Sequence, residues 1–139
     1  MNWTFEELPS MLQHGPSKTM GERGRSTTSN IVVTGFMGTG KTSVARAVAE
    51  LLGMTFVDVD EEIEKRADMS VSEIFSRHGE GHFRLMEKRI CNDISRLTGA
   101  VIATGGGTPL DHESRALMSL AGMAVSLSCS LDELEHRLK

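Results

Sequence analysis

Apolar and polar residues follow two different rhythms along the chain from residue 30 onward. Short runs of apolar, mostly β-branched residues predict buried strands at residues 30–34, 55–57, 100–103 and 124–127. Apolar residues that recur every three or four positions predict helices at residues 41–52, 60–67, 80–97 and 111–121, with further helix starts at residues 70 and 130. Strands that alternate with helices imply a parallel sheet covered on both faces, so the predicted fold class is α/β.

The first 29 residues differ from the rest because they lack this periodicity and hold two of the chain's three prolines. We expect a disordered N-terminal extension at residues 1–29, either native or produced by an upstream start codon. The alternative is a single amphipathic turn that docks on the domain through Trp3, Phe5, Leu8 and Leu12. This segment has no apolar stretch typical of a secretory signal.

Length and composition fit one globular domain and exclude several classes of protein. The chain has 139 residues, of which 39% are hydrophobic and 24% charged, and no apolar run is long enough to cross a membrane. A net charge of −4 argues against binding to nucleic acid or to a membrane surface. Cys91 and Cys129 lie far apart and lack the spacing of a metal site, which favours a reducing compartment. We therefore expect a cytoplasmic protein. We also expect it to act as a monomer.

A phosphate-binding motif follows the first predicted strand. Residues 35–42, GFMGTGKT, match the pattern G-x-x-x-x-G-K-[ST] without a mismatch and lead into an amphipathic helix. The glycines let backbone N–H groups turn inward, and the start of the helix adds partial positive charge. Lys41 has the length to reach the β- and γ-phosphates of a nucleotide, and the Thr42 hydroxyl suits Mg²⁺. A glycine-rich turn that only joined a strand to a helix would need neither side chain.

Two aspartates follow the second predicted strand, at the sheet edge where α/β proteins bind ligands. If the strand continues to residue 60, the i, i+2 spacing of Asp58 and Asp60 points both carboxylates the same way. One would then hold Mg²⁺ through water, and the other would accept hydrogen bonds from substrate hydroxyl groups. The alternative is that Asp60 caps the next helix, with Glu61 and Glu62 favouring the helix start.

Arg84 lies among the apolar positions of a predicted helix and shares a face with Glu87 and Lys88. A surface ion pair of little energetic value is one interpretation of this spacing. The other is an arginine that Glu87 orients toward a substrate carboxylate, which the planar guanidinium group binds through two hydrogen bonds. The spacing alone leaves both interpretations open.

Three consecutive glycines, Gly105, Gly106 and Gly107, follow the third predicted strand at the same sheet edge. Glycine permits the backbone to approach a ligand closely and leaves its N–H groups exposed. A simple flexible turn is the alternative, but such a turn rarely needs three glycines in a row. The pattern therefore favours a ligand-binding loop.

Together these segments resemble the shikimate kinase family, which belongs to the nucleoside-monophosphate-kinase-like group of P-loop proteins. The matching segments are GFMGTGKT at 35–42, DVDEEIE at 58–64, FRLME at 83–87 and ATGGG at 103–107. The first motif occurs in many NTPases, whereas the combination of the other three is much more specific. The resemblance implies a three-layer P-loop NTPase fold with a central parallel sheet, in which four of the family's five strands are present.

The resemblance implies ATP-dependent phosphorylation of the 3-hydroxyl of shikimate, a step of chorismate and aromatic amino-acid biosynthesis. ATP would be bound by loop residues and one arginine: Gly38, Thr39, Gly40, Lys41, Thr42, Ser43 and Arg137. Mg²⁺ would be held by Thr42 and, through water, by Asp58. Shikimate would be bound by Asp60, Arg84, Gly105, Gly106 and Gly107. Lys41 and Asp60 would be the catalytic residues, with Asp60 orienting the attacking oxygen or briefly accepting its proton.

The resemblance also defines one departure from the family. The family continues beyond the position of Lys139 into a mobile lid with two arginines, a fifth strand and a closing helix. We expect residues 30–139 to form a shikimate-kinase-like P-loop domain without these parts. Two alternatives follow, namely another small-molecule kinase that resembles gluconate kinase, or an ATP-binding fragment without catalytic activity.

Overall fold

The computed structural model describes residues 29–139, which form a four-stranded sheet flanked by helices. The elements follow one another in this order: β1 Asn30–Gly35, α1 Lys41–Leu52, β2 Thr55–Asp58, α2 Val59–Ala67, α3 Val71–Ile94, β3 Ala100–Ala103, a 3₁₀ turn Thr108–Leu110, α4 His112–Ala121, β4 Gly122–Leu127 and α5 Leu131–Leu138. The extension predicted for residues 1–29, and the amphipathic turn that is its alternative, lie outside the described residues except for residue 29. No helix in the described part of the chain is long and apolar enough to span a membrane.

The four strands are parallel and lie in the order β2-β3-β1-β4. Their register brings the carboxyl ends of the strands, at Gly35, Asp58, Ala103 and Leu127, to one edge of the sheet. The predicted α/β class and the predicted parallel sheet are confirmed. The phosphate-binding motif, the two aspartates and the three glycines all begin at this edge, as the sequence predicts.

Helices cover both faces of the sheet, so the domain has three layers. On one face, Ala45 and Ala49 of α1 belong to the same core as Val33. The larger core on the other face contains residues of α2, α3 and α4: Val59, Ile63, Ile74, Phe83, Ile90, Cys91, Ile94 and Met118. The adjacent residues Val32 and Val33 point into different cores, which is the alternation expected of a strand buried on both faces.

Asn30, the first residue of β1, joins the ends of three other segments. Its side chain is buried, and its amide nitrogen donates to the carbonyl oxygens of Leu97 at 2.6 Å and Ala121 at 3.0 Å. Its amide oxygen accepts a hydrogen bond from the N–H of Ala100 at 3.0 Å. These bonds fix the start of β3 and the end of α4 against β1. Nothing in the apolar pattern of the strand singles out this residue.

Two differences from the predicted element boundaries affect the helices near the sheet edge. β2 ends at Asp58, and α2 begins at Val59 rather than at residue 60. The helical segments predicted from residue 70 and at 80–97 form one helix, α3, which is interrupted at Gly79. Gly79 has φ 81° and ψ 172°, a conformation outside the helical region that glycine adopts without steric cost.

Candidate active site

The loop between β1 and α1 is shaped to hold an anion. Gly38 and Gly40 have φ values of 81° and 86°, in the left-handed region that favours glycine. Gly40 also precedes α1, and because it has no side chain, the first N–H groups of the helix are left without a side-chain cap. The Thr39 hydroxyl donates to the carbonyl oxygen of Phe36 at 2.7 Å, which closes the loop on itself. Uncapped N–H groups at a helix start attract phosphate.

Lys41 lies at the base of this loop, near two carboxylates. Its ammonium group donates to the carbonyl oxygen of Phe36 at 3.1 Å. Partial burial lowers the pKa of Lys41, whereas the negative charges of Asp60 and Asp58 raise it without fully compensating. The lysine and the two aspartates therefore share one electrostatic environment.

Asp58 connects the phosphate-binding loop with the next helix. One carboxylate oxygen accepts a hydrogen bond from the Thr42 hydroxyl at 2.8 Å, and the other accepts one from the N–H of Glu61 at 3.1 Å. Asp58 is therefore the N-cap of α2, and the alternative that Asp60 caps this helix is wrong. The strand-based alignment of the two carboxylates is also wrong, because β2 ends at Asp58 and Asp60 lies in the first turn of α2.

Asp60 is free of the capping role and lies beside the other charged groups of the site. Burial raises the pKa of its carboxyl group to about 6, and the negative charges of Asp58 and Glu87 act in the same direction. The positive charge of Lys41 opposes this shift. A carboxyl group with a pKa close to neutrality exchanges its proton readily at physiological pH, so Asp60 is suited to acid–base chemistry.

Arg84 and Glu87 form an ion pair within α3. Nη1 of Arg84 lies 2.9 Å from Oε1 of Glu87, whose side chain is only 1% exposed. Nε of Arg84 lies 3.6 Å from a carboxylate oxygen of Glu80. The interpretation as a surface ion pair is wrong, because one of its partners belongs to the protein interior. The structure instead agrees with an arginine that a buried carboxylate orients.

The loop that contains the three glycines, residues 105–107, touches three parts of the site. A Cβ atom on Gly105 would lie 2.8 Å from Oδ1 of Asp60, and a Cβ atom on Gly107 would lie 2.5 Å from Nη2 of Arg84. A Cβ atom on the middle glycine would lie 3.7 Å from the backbone nitrogen of Met37, in the phosphate-binding loop. Close packing against polar groups therefore explains glycine at positions 105 and 107, whereas a Cβ atom on Gly106 would have room.

Two residues near the site lie outside the motifs recognised in the sequence. The hydroxyl of Thr108, which is fully buried, donates to Oε2 of Glu87 at 2.9 Å. The second residue is Phe75, whose ring centroid lies 4.7 Å from that of Phe83. Phe83 directly precedes Arg84 in the sequence. The only sequence signal for Thr108 is its place directly after the three glycines, where a polar residue is indistinguishable from an ordinary turn residue.

Arg137 lies on α5, beside the phosphate-binding loop. Its Nη1 donates to the carbonyl oxygen of Gly38 at 3.3 Å, and its Nε pairs with Glu133. The structure thus brings the predicted residues together around one sheet edge, with Arg137 at the margin of the site. Their roles in binding and catalysis stay predictions.

The side chains suited to a metal ion are oxygen donors. In residues 29–139, no group of three or more His, Cys, Asp and Glu side chains is arranged to hold a metal ion. The Thr42 hydroxyl and the Asp58 carboxylate are nevertheless in hydrogen-bond contact. Mg²⁺ usually keeps several water ligands and binds one or two protein oxygens together with phosphates. The pair therefore fits a magnesium ion that arrives with a nucleotide.

Comparison with known sequences gives the chain a family context. The model of the family described as shikimate kinase matches residues 37–139. The shikimate kinase of Geobacter metallireducens is 42% identical over 114 residues, which cover 82% of this chain and 64% of that protein. The shikimate kinase of Rhizobium meliloti is 36% identical over 138 residues, which cover 99% of this chain and 69% of that protein.

Comparison with solved structures gives the same result. The shikimate kinase from Acinetobacter baumannii, determined in complex with shikimate, has a TM-score of 0.77 and 37% sequence identity to this chain. The match covers 80% of this chain and 62% of the Acinetobacter protein. The chain therefore spans less than two thirds of the length of this protein and of the Geobacter relative.

Proposed function

Because the chain belongs to the shikimate kinase family, we propose that it binds ATP and shikimate and helps to transfer the γ-phosphoryl group to the 3-hydroxyl of shikimate. The observation that carries this proposal is that the glycine loop, 105–107, lies beside Asp60, Arg84 and the phosphate-binding loop. Through this loop, the groups assigned to the acceptor lie next to those assigned to the donor. The Acinetobacter baumannii neighbour was determined with shikimate bound, which supports the class of acceptor.

ATP occupies the loop between β1 and α1 in this proposal. Backbone N–H groups of the loop and of the helix start hold the phosphates, and the Lys41 ammonium group neutralises charge that develops during transfer. Arg137 lies at the margin of the loop, and we assign it to the adenine. The residues assigned to ATP are Gly38, Thr39, Gly40, Lys41, Thr42, Ser43 and Arg137.

Thr42 and Asp58 are the residues that would hold Mg²⁺, Thr42 through its hydroxyl oxygen and Asp58 through water. When bound with the nucleotide, Mg²⁺ offsets negative charge on the phosphate oxygens. The hydrogen bond between the two side chains keeps their oxygen atoms together, and the bond from the N–H of Glu61 fixes the Asp58 carboxylate. Both residues are therefore held in place before a nucleotide binds.

Shikimate lies against Asp60, Arg84 and the glycine loop. Nη1 of Arg84 is bonded to Glu87, and Nε lies 3.6 Å from Glu80, so the arginine offers the remaining N–H groups of Nη1 and Nη2 to the substrate carboxylate. Asp60 accepts a hydrogen bond from the attacking hydroxyl group and takes up its proton as the new oxygen–phosphorus bond forms and the bond from the γ-phosphorus to ADP breaks. With a pKa of about 6, most Asp60 carboxyl groups are ionised at pH 7 and able to accept this proton. Positioning of this kind is the main task of a protein that transfers phosphoryl groups.

A phosphotransfer assay tests the proposal. ADP release from ATP is measured with shikimate and, as the matched control, with gluconate, which also carries hydroxyl groups and a carboxylate. ADP release that depends on shikimate supports the proposal, whereas release that depends on gluconate would indicate a gluconate-kinase-like enzyme. ATP binding without turnover, measured by calorimetry, would overturn the catalytic part of the proposal and indicate an ATP-binding fragment.

We propose further that residues 30–139 form one P-loop domain that acts as a cytoplasmic monomer and binds neither nucleic acid nor membranes. The net charge of −4 supports the absence of nucleic-acid binding. Cys91 and Cys129 are both free thiols, which supports a reducing compartment. Size-exclusion chromatography with light scattering should give the mass of one chain, and the mass of a dimer would contradict the monomer.

A further inference from the structure

We infer that Thr108 is a positioning residue for the substrate carboxylate, because its hydroxyl fixes Glu87 and, through Glu87, the guanidinium group of Arg84. The inference rests on the proposed function, since it assumes that Arg84 binds the carboxylate of shikimate. Thr108 follows the three glycines directly and belongs to none of the motifs that indicate the family.

The carboxylate of Glu87 is held at both oxygen atoms in the protein interior. Thr108 is fully buried, and Glu87 is 1% exposed. The Thr108 hydroxyl donates to Oε2 at 2.9 Å, and Nη1 of Arg84 donates to Oε1 at 2.9 Å. The Glu87 carboxylate cannot rotate about its last bond without losing a hydrogen bond in a buried environment, which is costly. Its orientation is therefore fixed by one donor from α3 and one from the turn after the glycines.

The orientation of Glu87 determines which edge of the guanidinium group is available to a substrate. Nη1 of Arg84 is bonded to Glu87, while Nη2 lies so close to Gly107 that a Cβ atom there would be 2.5 Å away. A guanidinium group binds a carboxylate well only when its planar fork faces it. Rotation of Glu87 would turn this fork away from the glycine loop, where the substrate is proposed to lie.

The same threonine ties the glycine loop to α3. Its backbone N–H donates to the carbonyl oxygen of Gly105 at 3.2 Å, so Thr108 forms the turn that ends the loop. A Cβ atom on Gly105 would lie 3.1 Å from the Thr108 hydroxyl oxygen and 3.4 Å from Oε2 of Glu87. The hydroxyl group of Thr108 therefore positions the arginine through Glu87, and the backbone N–H of the same residue closes the loop that faces it.

The test compares Thr108→Val, which keeps the shape of the side chain without the hydroxyl, with Thr108→Ser, which keeps the hydroxyl. We expect Thr108→Val to raise the KM for shikimate about tenfold and to change kcat and the KM for ATP less than about twofold, because one hydrogen bond to a charged group is lost. Thr108→Ser should keep a KM for shikimate close to that of the wild type. An unchanged KM for shikimate in Thr108→Val would overturn the inference.

A double variant distinguishes positioning of Arg84 from a general structural role of Thr108. In a chain that carries Arg84→Ala, the further change Thr108→Val should leave the KM for shikimate unchanged, because the residue through which Thr108 acts is absent. Another loss of about tenfold in that background would show that Thr108 acts by a different route, and the inference would be wrong.

A failure of the proposed function can be distinguished from a failure of this inference. If the wild-type chain neither binds nor phosphorylates shikimate, the proposed function is wrong, and NMR of the Arg84 Nε–H group still tests the positioning. A held guanidinium group should give a sharp Nε–H signal in the wild type and in Thr108→Ser, and a broadened signal in Thr108→Val. Identical signals in the three chains would overturn the link between Thr108 and Arg84.

Discussion

β3 and β4 are both apolar strands of one parallel sheet, yet their surroundings differ. β3, with the sequence AVIA, lies between β1 and β2, and all four of its residues are buried. β4, with the sequence GMAVSL, pairs only with β1 among the described residues, and four of its six residues are exposed. Hydrophobicity alone therefore does not determine burial in this sheet, since the position of a strand in the sheet order has the larger effect.

The candidate active site also has a well-buried part and an exposed part. In the acceptor region, defined as α2, α3 and the glycine loop, Glu87 is buried beside the larger core and holds Arg84. In the β4 region, defined as β4 and α5, four of the six residues of β4 are exposed and no residue of α5 is buried. Arg137 therefore depends on a surface helix. Packing fixes the acceptor side of the site more firmly than the side that faces the β4 region.

The largest effect is expected at Asn30 of β1, the strand that lies between β3 and β4 in the sheet. Asn30→Ala removes three hydrogen bonds and leaves the buried N–H of Ala100 and the partly buried carbonyl groups of Leu97 and Ala121 without their partner. We expect the free energy of unfolding to fall by about 4 kcal/mol in urea denaturation. Asn92→Ala, on an exposed position of α3, is the control and should cost less than about 0.5 kcal/mol. Equal losses in the two variants would contradict the role of the Asn30 side chain in holding these three segments against β1.

A second pair of variants tests the comparison directly, because each removes the carboxylate partner of one arginine. Glu87→Ala leaves Thr108 and Arg84 without their buried acceptor and should lower the free energy of unfolding by about 3 kcal/mol. Glu133→Ala removes the partner of Arg137 in the β4 region and should cost less than about 0.5 kcal/mol. Chemical denaturation of both variants measures the difference, and similar losses would remove the distinction between the regions.

Asp60→Asn should abolish phosphotransfer and yet stabilise the fold. The folded state raises the pKa of Asp60 from 3.8 to about 6, so the folded chain holds this proton more tightly than the unfolded chain. As the pH rises from about 4 to about 6, the wild type loses about 3 kcal/mol of stability on the full shift, or on the order of 2 kcal/mol after solvent screening of this partly exposed group. The loss is complete above pH of about 6.

The asparagine variant should therefore be more stable than the wild type at pH 8 and equally stable below pH of about 4, measured by thermal or urea unfolding without nucleotide. Asp132→Asn, on an exposed position of α5, is the control and should stay within about 0.5 kcal/mol of the wild type at both pH values. A gain in Asp60→Asn that did not depend on pH would show that ionisation is not its cause.

The smallest effect is expected at Arg137, on the surface of the β4 region. Arg137→Ala should raise the KM for ATP about threefold, because an exposed cation contributes little binding energy. The KM for shikimate and the free energy of unfolding should stay as in the wild type.

Arg84→Ala is the complementary variant and should chiefly weaken shikimate binding, by roughly a hundredfold. Initial rates at varied substrate concentrations measure both, and a shift of the shikimate KM in Arg137→Ala would contradict the division of the site.

The parts of the molecule that could be predicted from the sequence are those determined by residues close together along the chain. The strand and helix periods gave the α/β class, and the motif at 35–42 gave a loop with left-handed glycines before a helix. The two helical segments around Gly79 were also predicted, although they form one interrupted helix. Local pattern is sufficient in these cases because the spacing of apolar residues and glycines directly determines the backbone conformation.

The parts that could not be predicted depend on contacts between distant residues or on the end of an element. An Asp-x-Asp sequence permits either aspartate to cap the helix, and only the end of β2 assigns this role to Asp58. Thr108 meets Glu87 across 21 positions, and Asn30 meets Ala121 across 91 positions. Such hydrogen bonds follow from the packing of the elements, and no periodic pattern marks the residues that make them.

The two hydrogen bonds of Asp58 define a boundary for building chimeric enzymes. One of its oxygens is bonded to Thr42, at the start of α1, and the other to the first turn of the helical segment 59–94. This segment carries Asp60 and Arg84. A chimera that replaces it with the corresponding segment of a kinase for another alcohol should keep the alignment of donor and acceptor as long as residue 58 stays an aspartate. The junction for such an exchange therefore belongs after Asp58.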